Sequence, residues 1–356
     1  MMVVDGVVMS DIMEITDEIL YMLNDVPMEN GRYFISEDMN PILREVCEKT
    51  NAVRDEREKI FLERRRLKAI LMRKNKMKEY NEEVLSISKE VNGHYRKLNK
   101  FVMDDTYEMC KTDPILLESI RNTNDNSYLV LDNEVFNVEK NNKTTNIIVS
   151  KKRTFAAAES YKGKKVAVLN FANNHSIGGA PWSAGAQEES LCRISTLYSC
   201  LKKFNMSFYG RHKDMFSNRQ IDEMGNSDLI YLPNVTVFKT EESIPLQMDI
   251  DNWFNVNVIT SAAPELVYQY DLKSYRELIY KRLEKVIQVA KMENVEVLIL
   301  GAYGCGAFHN PPEVVATVFK MLLKQYHFET VEFAVYCNED SKFSNYQIFK
   351  TIFEEE

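Results

Sequence analysis

Residues 166–189 read VAVLNFANNHSIGGAPWSAGAQEE. The first five, Val166 to Asn170, are an expected strand whose first four residues are apolar on both faces, as a strand covered by helices on each side requires. A glycine-bearing loop follows. Gln187-Glu188-Glu189 then opens a helix whose apolar positions Leu191, Ile194, Tyr198 and Leu201 recur at helical spacing. Strand, loop and helix in that order are the repeating unit of an α/β fold, and ligands in such sheets bind beyond the carboxyl ends of the strands.

The same texture extends outward from about residue 145. Short β-branched runs at 146–149, 229–232, 235–238, 256–261, 295–300 and 331–336 are expected strands, separated by helical stretches. Between Ser274 and Met292 the positions Ile279, Leu283, Val286, Ile287 and Ala290 predict a helix, with Ser274 and Glu277 as its capping box. A second loop, Gly301-Ala302-Tyr303-Gly304-Cys305-Gly306-Ala307-Phe308-His309-Asn310, runs into Pro311-Pro312-Glu313. Asn310 is the expected N-cap there, and the helix should continue to about Lys324.

Upstream the chain changes character. From Pro41 to about Lys100 it is rich in Glu, Lys, Arg and Leu and has one glycine, Gly93, which is helix composition. Ile70, Met77, Val84 and Val91 recur every seven residues, with Ile60 and Leu67 on a neighbouring line that Lys74, Asn81 and Ser88 interrupt. That stripe favours a helical hairpin over a sustained coiled coil. The run RRRLKAILMRKNKMK reads either as a solvated helix face or as a polymer-binding arm. Residues 1–50 carry eleven acids against three bases, and residues 51–80 eleven bases against five acids, so the two stretches can attract each other.

Composition sets further bounds. With 356 residues, 45% hydrophobic and 28% charged, and only 12 glycines and 9 prolines, the chain is neither disordered nor collagen-like and can bury a sizeable core. No apolar run is long enough to span a bilayer, and the acidic start lacks the bases of a signal peptide, so a soluble cytoplasmic protein is expected, with no membrane partner. The formal charge of −8 argues against direct binding to nucleic acid. Six scattered cysteines show no CxxC spacing; they are read as reduced thiols, and no zinc site is visible.

The two glycine loops carry the chemistry. Glycine lets backbone N–H groups approach an anion closely, and two such loops in one sheet could cradle a diphosphate. No P-loop lysine follows either, and GxGxxG is only imperfectly matched, which disfavours nucleotide hydrolysis and a Rossmann site. Phe308 and Tyr303 are available to flank a sugar or base, or to fill core. Glu188 and Glu189 serve either the helix dipole or the ligand cleft, where one could act as general acid on a glycosidic oxygen. Neighbouring helix residues point about 100° apart, so opposed carboxylates of the ordinary glycosidase kind are disfavoured.

The run LNFANNHSIGGAPWSAGAQEESLCRISTLYSCL resembles the microbial-type poly(ADP-ribose) glycohydrolases, a macrodomain branch whose signature is GGG, six to eight residues, then QEE. GAYGCGAFHNPP is similar to that family's other ligand loop, and VITSAAP to the strand between them. The resemblance covers residues from about 105 to 353. It implies a macrodomain-like mixed sheet flanked by helices at 105–356; the acidic and helical extension expected at 1–104 is read from composition and lies outside the resemblance. It also implies hydrolysis of ribose–ribose O-glycosidic bonds in poly(ADP-ribose), releasing ADP-ribose from chain ends without metal or other cofactor. Glu189 matches the catalytic acid and Glu188 the residue orienting the reacting ribose. Asn173, Gly178, Gly179, Ala180, Gln187, Gly304, Cys305, Gly306, Ala307 and Phe308 make up the implied substrate-binding set.

The sequence departs from the family pattern at three places. Ala180 stands at the third glycine and is followed by Pro181, His309 stands where a longer basic residue is usual, and Ile177 replaces a proline. His309 and His175 are either loop side chains or phosphate contacts. The partners expected are poly(ADP-ribose) or ADP-ribosylated macromolecules, with self-association through the N-terminal helices as a further expectation. Two alternatives stay open: a non-catalytic ADP-ribose reader, with Ala180 spoiling the reacting geometry, and a helical scaffold carrying an ADP-ribose sensor.

Overall fold

The computed structural model describes residues 3–4, 7–8, 25–29, 32–91, 95–141, 143–266, 270–337 and 344–354, apart from the side chains of 3, 4, 7, 8, 62, 63 and 65–70. Its contacts divide it into two units, Met1–Lys76 and Met77–Glu356.

In the first unit a two-stranded ladder, Met28–Glu29 with Arg32–Tyr33, is pinned by Asn51, whose Oδ1 accepts from Tyr33 N (2.9 Å) and whose Nδ2 donates to Tyr33 O (3.0 Å). Val26, Leu43, Val46 and Cys47 form its small core. Helix α1 (Pro41–Glu90) begins here, with Asn40 Oδ1 accepting from Ile42 N at 2.9 Å as its cap. Of the expected apolar stripe, Val84 and Val91 are buried and Met77 is half-buried, whereas Ile60 is exposed; the side chains of Leu67 and Ile70 lie outside the described residues, as does most of the acidic lead.

In the second unit, α2 (Arg96–Thr112) packs on the last turns of α1 through Tyr80, Val84, Leu98 and Val102, and the Tyr80 and Phe101 rings stack at 5.4 Å. The composition boundary at 104 therefore falls inside a helix. Asp113 ends α2 and caps α3 (Pro114–Asn126) by accepting from Ile115 N at 2.9 Å.

The centre is a seven-stranded mixed sheet. Its strands are β1 (Tyr128–Val130), β2 (Asn146–Ser150), β3 (Val166–Ala172), β4 (Leu229–Val237), β5 (Phe254–Ala262), β6 (Val297–Leu300) and β7 (Thr330–Ala334), in the order β1-β4-β5-β3-β6-β7-β2. The run β5-β3-β6-β7-β2 is parallel, and β4 is antiparallel to both β5 and β1. Alternation along the strands builds two cores. Ala167, Leu169, Leu298 and Leu300 face helices α8 (Leu272–Met292) and α9 (Pro312–Leu323), while Val166, Val168, Val297 and Ile299 face α4 (Thr154–Glu159), α5 (Gln187–Ile194) and α6 (Leu197–Leu201), with a short helix α7 (Arg211–Ser217) between α6 and β4 in the chain.

Several sequence expectations need correction. The runs at 229–232 and 235–238 are one strand, β4, interrupted by a bulge in which Asn234 takes φ +54°. The edge strand β1, only three residues long, was not anticipated. Helix α8 is capped by Asp271, which accepts from Ser274 N (2.7 Å) and Ser274 Oγ (2.8 Å), so Ser274 is a donor to the cap. Asn310 is not the cap of α9, which starts after Pro311. Its Nδ2 donates to the carbonyls of Pro264, Gly304 and Phe308 and its Oδ1 accepts from Tyr275 OH, closing the second loop on itself. The helix expected from Gln187 through Leu201 breaks at Ser195, because β4 runs past it: Ser195 bridges to Val237, and the amides of Phe238 and Lys239 donate to Ile194 O.

Lys239 fastens α2 to the sheet. Its buried ammonium donates to Val102 O (3.0 Å) and Thr106 Oγ1 (2.7 Å), pairs with Asp105 Oδ2 (2.7 Å), and sits 4.5 Å from the Tyr80 ring centre. Burial lowers its pKa, so these partners are what keep a charge tolerable there.

Candidate active site

A cavity of about 360 Å³ opens beyond the carboxyl ends of β3, β6, β7 and β2. Asn173, Gln187, Glu188 and Glu189 line it from the first loop and α5, and Gly304, Gly306, Ala307 and Phe308 from the second. Gly178, Gly179, Ala180 and Cys305 are not among its lining residues.

Glu188 lies deepest. Its Oε1 accepts from Asn170 Nδ2 (3.1 Å) and its Oε2 from Asn173 N (2.7 Å), so strand β3 and the loop after it fix both oxygens. Burial pushes its pKa up to about 8, against the pull of those donors, with neighbouring Glu189 adding a smaller upward push. In the neutral form it can donate as well as accept. Glu189 is also buried, and its Oε1 accepts from Ala180 N at 3.1 Å.

Gln187 holds this pair in place. Its Oε1 accepts from Phe171 N (2.8 Å), and its Nε2 donates to Thr154 Oγ1 (3.0 Å) and Leu169 O (2.8 Å), so its carboxamide is committed to the protein. Asn173 is different: its Oδ1 accepts from His175 N and Ser176 N, both at 2.8 Å, and its Nδ2 has no protein partner among the described residues.

The glycines of the first loop serve the protein's own packing. Gly178 and Gly179 both take φ +65°, and a Cβ on Gly178 would stand 2.8 Å from Cys192 Sγ. A Cβ on Gly179 would fall on Glu189 Oε1 and 3.0 Å from its Cδ. Ala180 has no positive φ, its methyl does not enter the cavity, and its N–H serves Glu189, so nothing about it disturbs the carboxylates. In the second loop Gly304 (φ +71°) leaves room for Ala263 and Asn310, each 2.5 Å from where a Cβ would lie.

Tyr303 is core: it is buried, its OH is 2.9 Å from Ser261 Oγ, and its ring meets Phe171 edge-on at 5.8 Å. Phe308 lines the cavity, half-buried. His309 is exposed at φ +57°, and His175 packs edge-on to Phe216 at 5.5 Å; neither lines the cavity.

Sequence reasoning missed one wall entirely. Arg153, Thr154, Glu241, Tyr336 and Asn345 line it; the Arg153 guanidinium lies 3.9 Å from the Tyr336 ring centre. Glu241 Oε2 accepts from Phe155 N (2.5 Å) and Ala156 N (2.9 Å), and burial pushes its pKa up to about 7. Arg153 and Tyr336 follow the ends of β2 and β7, so the strand-end rule could have found them had it not been tied to glycine.

The raised carboxyl pKa of Glu188 has a thermodynamic signature. The native state holds its proton up to about pH 8 and the unfolded chain only to the ordinary value of 4.5, so unfolding releases a proton between these limits and stability falls as pH rises. Glu188→Gln is expected to flatten the decline in Tm between pH 5 and 8, Glu241 supplying what slope is left. Identical slopes for variant and wild type would refute the shift.

The profile of the microbial-type PARG catalytic domain matches residues 81–240. The chain is similar to poly(ADP-ribose) glycohydrolase from Thermomonospora curvata at 27% identity and a TM-score of 0.62, covering 72% of this chain and 99% of that one. The same enzyme bound to the inhibitor ADP-HPD gives 26% identity and a TM-score of 0.59, over 71% and 98% of the two chains. Poly(ADP-ribose) glycohydrolase from Deinococcus radiodurans in complex with ADP-ribose gives 27% and 0.55, over 66% and 97%. No curated protein matches in sequence. The match over α2 through β4 and the likeness across the sheet unit agree: residues 81–240 match the catalytic domain of the microbial-type PARG family, and the sheet unit is similar to bacterial poly(ADP-ribose) glycohydrolases.

Proposed function

We propose that the chain hydrolyses the ribose–ribose O-glycosidic bonds of poly(ADP-ribose) and releases ADP-ribose from chain ends, with Glu189 as general acid and Glu188 orienting the reacting ribose. The observation that carries this reading is a pair of adjacent buried carboxyls opening on one cavity that both glycine loops line. A proton from Glu189 to the leaving oxygen lets an oxocarbenium-like centre develop while the bond to the departing ribose breaks; water then adds to that centre, and the proton it gives up restores the Glu189 carboxyl. Glu188, held at both oxygens, presents a fixed edge to a ribose hydroxyl, and the Asn173 Nδ2 offers a donor beside it. Gly304, Gly306, Ala307 and Phe308 form the opposite wall, suited to the diphosphate and the terminal ribose. Gly178, Gly179 and Ala180 act behind this surface by shaping it, and Gln187, which lines the cavity, has its carboxamide committed to holding it.

The test is direct. Purified full-length chain should release ADP-ribose as the main product from poly(ADP-ribose), and absence of release overturns the assignment. In this reading residues 105–356 carry the chemistry and 77–104 support them. Self-association through the N-terminal helices belongs to the same proposal, and a monomer by sedimentation of the full chain would remove it. No helix among the described residues is long and apolar enough to cross a membrane. A cytoplasmic location is proposed with the substrate, and recovery of the native protein from a membrane fraction would contradict it.

A further inference from the structure

Two of the cavity's glycines differ from the rest. A Cβ on Gly185 or Gly306 would meet nothing within 4 Å, neither has a positive φ, and both line the cavity, so the fold itself does not call for glycine at either place. Gly306 belongs to the second loop already discussed. Gly185 lies two residues before Gln187, and its surroundings show how its backbone is aimed.

The carbonyl of Ala184 accepts from Asn99 Nδ2 at 3.1 Å and from Arg193 Nη1 at 2.7 Å. Asn99 Nδ2 also reaches Ser183 O (3.2 Å), and Arg193 Nη1 also reaches Pro181 O (3.0 Å), so the turn before Gly185 is gripped from two helices. Asn99 stands on α2 and Arg193 on α5. In a trans peptide the C=O and the next N–H point in opposite directions. Holding Ala184 O on Asn99 and Arg193 therefore turns the Gly185 N–H away from those partners, and Gly185 itself lines the cavity. The Ala184 N–H is already given to Ala180 O (2.9 Å), whereas the Gly185 N–H has no protein acceptor among the described residues.

We propose that the Gly185 N–H is a hydrogen-bond donor to a ligand oxygen in the catalytic cavity, and that Asn99, together with Arg193, is a positioning residue that aims it. The missing side chain at Gly185 lets the ligand come within reach of that amide. This rests on the hydrolase reading and adds to it a contact, and a residue from outside the sheet, that the glycine motifs do not mark.

The experiment uses the full chain labelled with ¹⁵N and titrated with ADP-ribose, alongside steady-state turnover of poly(ADP-ribose). In the wild type the Gly185 amide resonance should move on saturation. Asn99→Ala should lose most of that movement and raise KM about 5- to 10-fold, the value of one neutral hydrogen bond, with kcat little changed. Gly185→Ala, whose methyl enters open space, should raise KM without lowering Tm, and it keeps the test decisive if Asn99→Ala does not fold. A wild type that turns over polymer while the Gly185 resonance stays still overturns this proposal and leaves the hydrolase reading standing. So does a fall in kcat and Tm in Asn99→Ala with KM unmoved, which would mark a merely structural role. A wild type that neither binds ADP-ribose nor releases it overturns both.

Discussion

Glu189→Gln is expected to slow release of ADP-ribose from poly(ADP-ribose) by about 10²- to 10⁴-fold, the usual cost of losing a general acid, while binding of free ADP-ribose persists. The amide is close to isosteric with the carboxyl and keeps an oxygen to accept from Ala180 N, now at 3.1 Å, so the loop and the start of α5 have no reason to move. What disappears is a proton that can be given up as the glycosidic bond lengthens. The comparison is best made at saturating polymer, with calorimetry on free ADP-ribose as the companion measurement. A variant within tenfold of wild type would mean that the proton comes from elsewhere, and Glu188, protonated up to about pH 8, would be the next donor to test.

Gly179→Ala should be nearly as damaging, although the residue does not line the cavity. Two costs combine. At φ +65° a side chain brings left-handed strain of about 1–2 kcal/mol. The added methyl would also clash with Glu189 Oε1 and come 3.5 Å from Glu188 Oε2, so the Glu189 carboxylate must shift. A displacement of order 1 Å costs about 10²-fold in rate, and a loss of that size in kcat is expected, with Tm lowered by a few degrees. The contrast with the next position is informative, because a methyl already stands at Ala180, where φ is not positive and the amide alone is used. If Gly179→Ala kept kcat within a few-fold of wild type, the glycine would be answering to the ligand instead of to Glu189.

Much of the fold was legible because period-two burial is written into β3, β5, β6 and β7. The paired sets Val166/Val168 and Ala167/Leu169 face opposite cores, and only a sheet covered on both sides needs apolar residues at all four. The misses have physical causes. β1 has too few residues to show a period, and the break at Ser195 arises from the amides of Phe238 and Lys239, just past β4, taking Ile194 O, a tertiary event that no helical spacing records. Asn310 had the right identity for a cap, but its Oδ1 accepts instead from Tyr275 OH while its Nδ2 serves carbonyls of its own loop.

At the site, the carboxylates and both loops could be read from residue order, but the reasons for individual glycines could not. The space at Gly178, Gly179 and Gly304 is filled by Cys192, Glu189, Ala263 and Asn310, all brought in by folding. The wall of Arg153, Glu241 and Tyr336 was missed for a related reason: its members come from three separate segments of the chain and share no local pattern.

The ammonium of Lys239 sets how short an active version of this enzyme can be. Its oxygen partners straddle residue 104, with Val102 on one side and Asp105 and Thr106 on the other, and the ring that faces it belongs to Tyr80. A gene fusion or natural truncation that began at Asp105 would keep every carboxylate and glycine of the cleft, yet would strand a cation in hydrocarbon with half its coordination gone. The heritable module is therefore the sheet plus its helical strap, and the two should be found travelling together wherever the chain is rearranged.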